Sequence, residues 1–147
     1  MPVRRARGHE GHRTVLTLAH YIDTSALVKL VAAEAETEAL RSWIGIEGSD
    51  LVSCDLARAE LLRAVRRAAP DRVVLARAVL DSITLISVAA STFDAAGRLD
   101  PAILRTLDAV HIAAALELGD DLAGIVTYDN RLAGAARANG IAVVAPA

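Results

Sequence analysis

With 147 residues, 54% of them hydrophobic but only 3% aromatic, the chain has the length of one domain with an aliphatic core, which excludes intrinsic disorder. Its one cysteine, Cys54, excludes an internal disulfide framework and a cysteine-built zinc site, and no apolar run reaches the ~18 residues of a spanning helix. The net charge of −2 hides a basic start: Arg4, Arg5, Arg7 and Arg13 against Glu10 leave the remainder at −5, which does not suit a protein that coats nucleic acid at large.

Residues 1–18 are rich in Gly, Arg and His and lack periodicity, and read as a flexible basic extension ahead of one domain, 19–147. No apolar h-region marks them as a secretory signal, so a cytoplasmic location is expected. His9, His12 and His20 have no fourth ligand at a zinc-site spacing. Ala19–Ile22 is the first strand candidate, ended by Asp23-Thr24-Ser25, where Thr or Ser can cap the helix that follows to Val31. A second helix carries Leu40, Trp43 and Ile44 at helical spacing, with Gly45 and Gly48 bracketing its end. Leu51–Ser53 is the second strand; a helix from Leu56 to about Ala68 follows, which Pro70 stops, and another spans roughly Arg72–Leu80. Ile83–Val88 is a β-rich strand. A short helix near Thr92–Ala96 and a loop from Gly97 to Pro101 lead into a long helix over Ala102–Leu118. Gly124–Thr127 is the fourth strand, Asn130–Ala138 a helix stopped by Asn139-Gly140, and Ile141–Val144 the last strand. Strands separated throughout by helices predict an α/β fold, three layers α/β/α, around a parallel sheet of four to five strands with right-handed crossovers.

In such sheets ligands collect at the carboxyl ends of strands, where the strand order reverses. Asp23 follows the first strand and Asp129 the fourth. Each is also an ordinary helix cap, but two at equivalent positions point to one rim. Asp108 stands in a helix in which almost every residue is Ala, Ile, Leu or Val, where an ionised carboxylate is costly without a hydrogen bond, a cation or a metal; the plain alternative is a surface pair with Arg105. His111, at i+3, reads as a satisfied core or supporting histidine rather than a ligand. Glu60, in an apolar-patterned helix, reads on its own as solvated or paired with Arg63. The runs Glu34-Glu36-Glu38 and Asp120-Asp121 read as solvated, and Cys54 as a small buried residue. Carboxylates gathered on one rim repel unless a cation neutralises them, and hard oxygen ligands select Mg²⁺ or Mn²⁺. Metal-assisted phosphodiester cleavage is the chemistry that suits such a set.

The runs Tyr21-Ile22-Asp23-Thr24-Ser25-Ala26-Leu27, Ala59-Glu60-Leu61, Leu107-Asp108-Ala109-Val110-His111-Ile112-Ala113 and Thr127-Tyr128-Asp129-Asn130-Arg131-Leu132 resemble, in order, the four motifs of PIN domains. The likeness covers about residues 20–147 and is greatest to the VapC-type toxins of bacterial toxin–antitoxin pairs. It implies a Mg²⁺-dependent endoribonuclease (Mn²⁺ a possible substitute) that inhibits translation and growth until a VapB-type antitoxin neutralises it. It also implies a homodimer and a toxin–antitoxin hetero-oligomer, with no membrane partner. Asp23, Glu60, Asp108 and Asp129 carry over as catalytic acids. Asp23 and Asp108 become the direct metal ligands and Asp129 a ligand through water, with Thr24, Ser25 and Thr127 in support.

Arg63, Arg66 and Arg67 form an i, i+3, i+4 stripe beyond Glu60 that suits RNA phosphates or an acidic antitoxin as well as plain solvent. Few aromatics leave little platform for base stacking. A non-toxin RNA-processing PIN nuclease and a catalytically silent RNA- or partner-binding PIN module remain alternatives. A phosphatase of the haloacid dehalogenase kind fits poorly, because position 25 is Ser where that chemistry wants a second acid, and Lys29 is the one lysine.

Overall fold

The computed structural model describes residues 18–147 together with the backbone of Arg5–Ala6 and Val15–Leu16. These two segments, β1 and β2, pair antiparallel in a ribbon separate from the main sheet, so the extension carries paired backbone at four positions. The rest of it, with His9 and His12, lies outside the described residues.

From Ala19 onward helices separate the strands. β3 (Ala19–Ile22) leads into α1 (Thr24–Val31) and α2 (Thr37–Glu47), and β4 (Asp50–Cys54) into α3 (Leu56–Ala68) and α4 (Val73–Asp81). β5 (Thr84–Ile86) precedes α5 (Ala90–Gly97) and α6 (Thr106–Leu116); β6 (Leu122–Val126), α7 (Asn130–Ala138) and β7 (Val143–Val144) complete the order. Helical connections return each strand in the direction of the last, and all five strands are parallel, in the order β5-β4-β3-β6-β7. The chain builds outward from β3 through β4 to β5, then crosses back to lay β6 on the other side of β3. The reversal therefore falls between β3 and β6, at whose carboxyl ends Asp23 and Asp129 stand.

Side-chain alternation along the central strands makes the two core layers. Ile22 and Val126 pack with Leu27, Leu40, Leu61, Val65 and Leu80 on the face covered by α1 to α4. Their neighbours Tyr21 and Ile125 pack with Ile112, Leu132 and Ala136 on the face covered by α6 and α7. Cys54 is fully buried in that second layer, as expected. At Gly124 an added Cβ would stand 3.0 Å from the carbonyl oxygen of Ala142, so the close approach of β6 to the chain entering β7 favours glycine there. Gly140, at φ 77°, adopts the left-handed conformation that follows the end of α7.

Two expectations need correction. The apolar run Ala102-Ile103-Leu104 does not begin the long helix: the Leu104 amide closes a turn onto the Pro101 carbonyl, Arg105 is extended, and α6 starts at Thr106. Composition alone could not see this, because Ile103 is apolar yet 88% exposed. The strands predicted over 83–88 and 141–144 shorten to Thr84–Ile86 and Val143–Val144, since each is a sheet edge with one pairing neighbour. α2 ends between Gly45 and Gly48 as expected, at Glu47, and Gly48 follows it in the left-handed conformation, φ 69°.

Candidate active site

The switch point is organised around Asp23, which is 4% exposed. The α1 cap is this aspartate rather than Thr24 or Ser25: its Oδ1 accepts from the Ala26 amide at 3.0 Å and the Ser25 hydroxyl at 2.7 Å. Its Oδ2 accepts from the Thr127 hydroxyl at 2.6 Å. Burial pushes the Asp23 carboxyl above its ordinary pKa, although Thr127, Ser25 and the Ala26 amide donate to its ionised form and the charge of His111 favours it. The two strand ends are laced together by the same hydroxyls. Thr127 Oγ1 also accepts from the Asp129 amide at 3.0 Å, and Ser25 Oγ accepts from the Tyr128 amide at 2.9 Å. Asp129 in turn caps α7, its Oδ1 accepting from the amides of Arg131 and Leu132.

Glu60 enters from α3 and is neither solvated nor paired with Arg63. Its Oε1 accepts from the Thr24 hydroxyl at 2.8 Å and from Nε2 of His111 at 2.7 Å. The opposite ring nitrogen of His111 lies 2.7 Å from the Tyr21 hydroxyl. Burial opposes a charge on that ring, but the hydrogen bonds and charges of Cys54 and Glu60 outweigh burial and hold the His111 pKa up, at about 10. Burial likewise raises Glu60, yet the bond to His111 and its charge, with Thr24, bring the carboxyl below its ordinary value. Of the two groups beside the ring, Glu60 is the closer; the Cys54 sulfur is 3.9 Å away.

Asp108 is not mid-helix. It lies in the first turn of α6, where the helix dipole favours an acid, and its Oδ2 accepts from Arg105 Nε at 3.4 Å. The plain partner is therefore present, on an Arg105 side chain that is 62% exposed. All the same, Asp108 joins Asp23, Glu60 and Asp129 in the wall of a single cleft of about 440 Å³, with Arg105 and His111 also lining it.

Among the described residues no three His, Cys, Asp or Glu side chains are gathered tightly enough to enclose an ion by themselves. The donor set instead suits a hard cation held by one or two carboxylates and completed by water, the habit of Mg²⁺. Protein donors occupy one oxygen each of Glu60, Asp108 and Asp129; among the described residues, the other oxygen of each has no hydrogen bond. Elsewhere, Lys29 is paired with Glu34 and Glu36, so part of the predicted solvated run is engaged. His20 bonds Ser49 and packs edge-on against Trp43. Tyr21 was not legible as part of the site: a strand tyrosine gives no signal of a partner 90 residues away. Arg105 and Leu107 also line the cleft, which periodicity does not reveal because the apolar run before Arg105 hides where α6 starts.

A three-layer fold with acids converging at the switch point of a parallel sheet defines a small α/β domain with an acidic cleft at its ligand rim. The PIN domain family matches residues 20–138, and the chain belongs to that family. Within it the chain is similar to Ribonuclease VapC46 of Mycobacterium tuberculosis, 43% identical over 128 residues, spanning 87% of this chain and 98% of that one. Its fold is that of VapC20 of M. tuberculosis, a toxin that cleaves the sarcin–ricin loop (TM-score 0.70, 18% identity, 86% and 98% of the two chains). It is also that of a chain of the VapBC2 complex of Rickettsia felis bound to a promoter DNA fragment (TM-score 0.65, 13% identity, 88% and 100%). Among the described residues no helix is long and apolar enough to cross a membrane.

Proposed function

We propose that this chain is a divalent-metal-dependent endoribonuclease acting as the toxin of a toxin–antitoxin pair. The observation that carries the reading is the convergence of Asp23, Glu60, Asp108 and Asp129, drawn from four separate segments, on one cleft at the strand-order reversal. Likeness to a curated VapC ribonuclease over nearly its full length supports the activity. Asp23 and Asp108 would hold Mg²⁺, or Mn²⁺ in its place, with Asp129 and Glu60 orienting water around it. The cation would supply Lewis-acid polarisation of the phosphodiester and water of lowered pKa. The chain's own groups keep the site aligned: Thr127 and Ser25 fix the Asp23 carboxylate, while Thr24 and His111 fix Glu60.

The partner we infer is a VapB-type antitoxin, in keeping with the VapBC2 complex, a chain of which shares this fold. Self-association into a homodimer and inhibition of translation belong to the same reading. The decisive experiment is cleavage of RNA by purified wild type and Asp23→Asn. Wild type should cut only with Mg²⁺ or Mn²⁺ and stop in EDTA. The variant should lose at least about 100-fold in rate, ~2.7 kcal/mol of transition-state stabilisation, and relieve growth arrest while remaining folded. Metal-independent cleavage, or an Asn variant as fast as wild type, would sink the reading.

A further inference from the structure

We propose that His111 and Tyr21 are positioning residues for Glu60: a buried chain of two hydrogen bonds, running from the central strand through α6 to α3, that fixes one Glu60 oxygen and leaves the other free for the site. This rests on the metal-dependent nuclease reading and deepens it. Tyr21 is 0% exposed and His111 is 4% exposed, against a buried layer whose other members are Cys54 and aliphatic side chains of Ala, Ile and Leu. Burying a hydroxyl and an imidazole there is costly unless each is satisfied. Satisfaction comes in series, with Tyr21 Oη to Nδ1 at 2.7 Å and Nε2 to Glu60 Oε1 at 2.7 Å.

Because Glu60 accepts at Nε2, that nitrogen carries a proton. Nδ1 then accepts from the Tyr21 hydroxyl when the ring is neutral and donates to it when the ring is charged, so the ring stays oriented either way. A glutamate on a helix would otherwise sample several rotamers. Here Thr24 from α1 and His111 from α6 both donate to Oε1 and occupy it, which leaves Oε2 for a cation or its water. Carboxylates that ligate metals are commonly held by such outer hydrogen bonds, whose loss costs roughly 10–100-fold in metal affinity or activity.

The test measures Mn²⁺ binding by calorimetry, alongside kcat and KM for RNA cleavage, in wild type, Tyr21→Phe, His111→Gln and His111→Ala. His111→Ala should lose about 10-fold or more in Mn²⁺ affinity and in kcat, with KM little changed. His111→Gln keeps an amide N–H where Nε2 was and should recover most of that loss. Tyr21→Phe, which preserves shape, should shift both readouts in the same direction by less. The proposal is overturned if folded Tyr21→Phe and His111→Gln both match wild type while His111→Ala does too. It also falls if His111→Gln drops as far as His111→Ala, since the ring would then matter only as packing. Wild type that neither binds Mn²⁺ nor cleaves RNA overturns the nuclease reading and this one together; active wild type with unaffected variants overturns this one alone.

Discussion

Asp23 is ionisable, buried and lined with hydrogen-bond donors, and burial outweighs the donors. A carboxyl whose folded pKa exceeds its unfolded one binds protons more readily in the folded state, so stability falls as pH rises from about 3.8 through the raised value. At neutral pH the ionised group therefore works against folding when no cation is present. We predict that metal-free Asp23→Asn melts at or above the temperature of metal-free wild type at pH 7, although its activity is lost. The Asn carbonyl can keep the Ala26 and Ser25 donors, and its amide can donate to Thr127. A lower melting temperature for the variant would show the carboxylate to be structural. The His111–Glu60 pair titrates with the opposite logic on each side. The raised histidine contributes stability that is complete below about 6.5 and lost as pH climbs through about 10. The lowered Glu60 contributes stability present above about 4.5 and lost as pH falls through its depressed value. Urea denaturation across this range should show wild-type stability declining on the alkaline side, and His111→Gln should flatten that decline. An unchanged alkaline slope would mean that the ring is not held charged.

Among the elements, α3 joins the acid site to a basic surface. Arg63 and Arg67 stand at i+3 and i+7 from Glu60, on the same side of the helix, and with Arg66 they line a recess of about 220 Å³. All three are exposed, and among the described residues none forms an ion pair. If they carry the RNA backbone away from the cleft, replacing all three by Gln raises KM while leaving kcat nearly unchanged. The slope of log affinity against log salt for single-stranded RNA should then fall by about 2, at roughly 0.7 per phosphate contact. An unchanged slope together with weakened antitoxin binding would assign the stripe to the protein partner instead. α6 shows how far periodicity reaches. Its buried stretch, Ala109–Ala115, was legible because nearly every residue is apolar, but its start was not, since Ala102-Ile103-Leu104 is equally apolar and turns away before Arg105. Asp108 therefore stands in the first turn of α6 rather than mid-helix, where the helix dipole favours an acid, and its place in the cleft wall is what ties it to the site.

At the scale of the molecule, the alternation of strands with helices sufficed for a parallel three-layer fold, and Asp23 and Asp129 were legible because strand ends mark the ligand rim. Sequence could not show that the reversal falls between β3 and β6, nor that Tyr21, Glu60 and His111 meet, because those contacts join residues 51 and 90 positions apart. The fold brings acids together at a cost that a cation would relieve, so metal binding and folding should be linked. A ligand that binds only the folded state stabilises by about 2.7 kcal/mol at a hundred times its Kd, which for a domain of this size raises the melting temperature by several degrees. Wild type should therefore gain several degrees in saturating Mg²⁺ or Mn²⁺ relative to a monovalent salt of equal ionic strength. Asp23→Asn should gain much less, because the buried charge that the cation offsets is gone. Equal gains in both proteins would place the cation away from Asp23 and break the link between the switch-point acids and the metal.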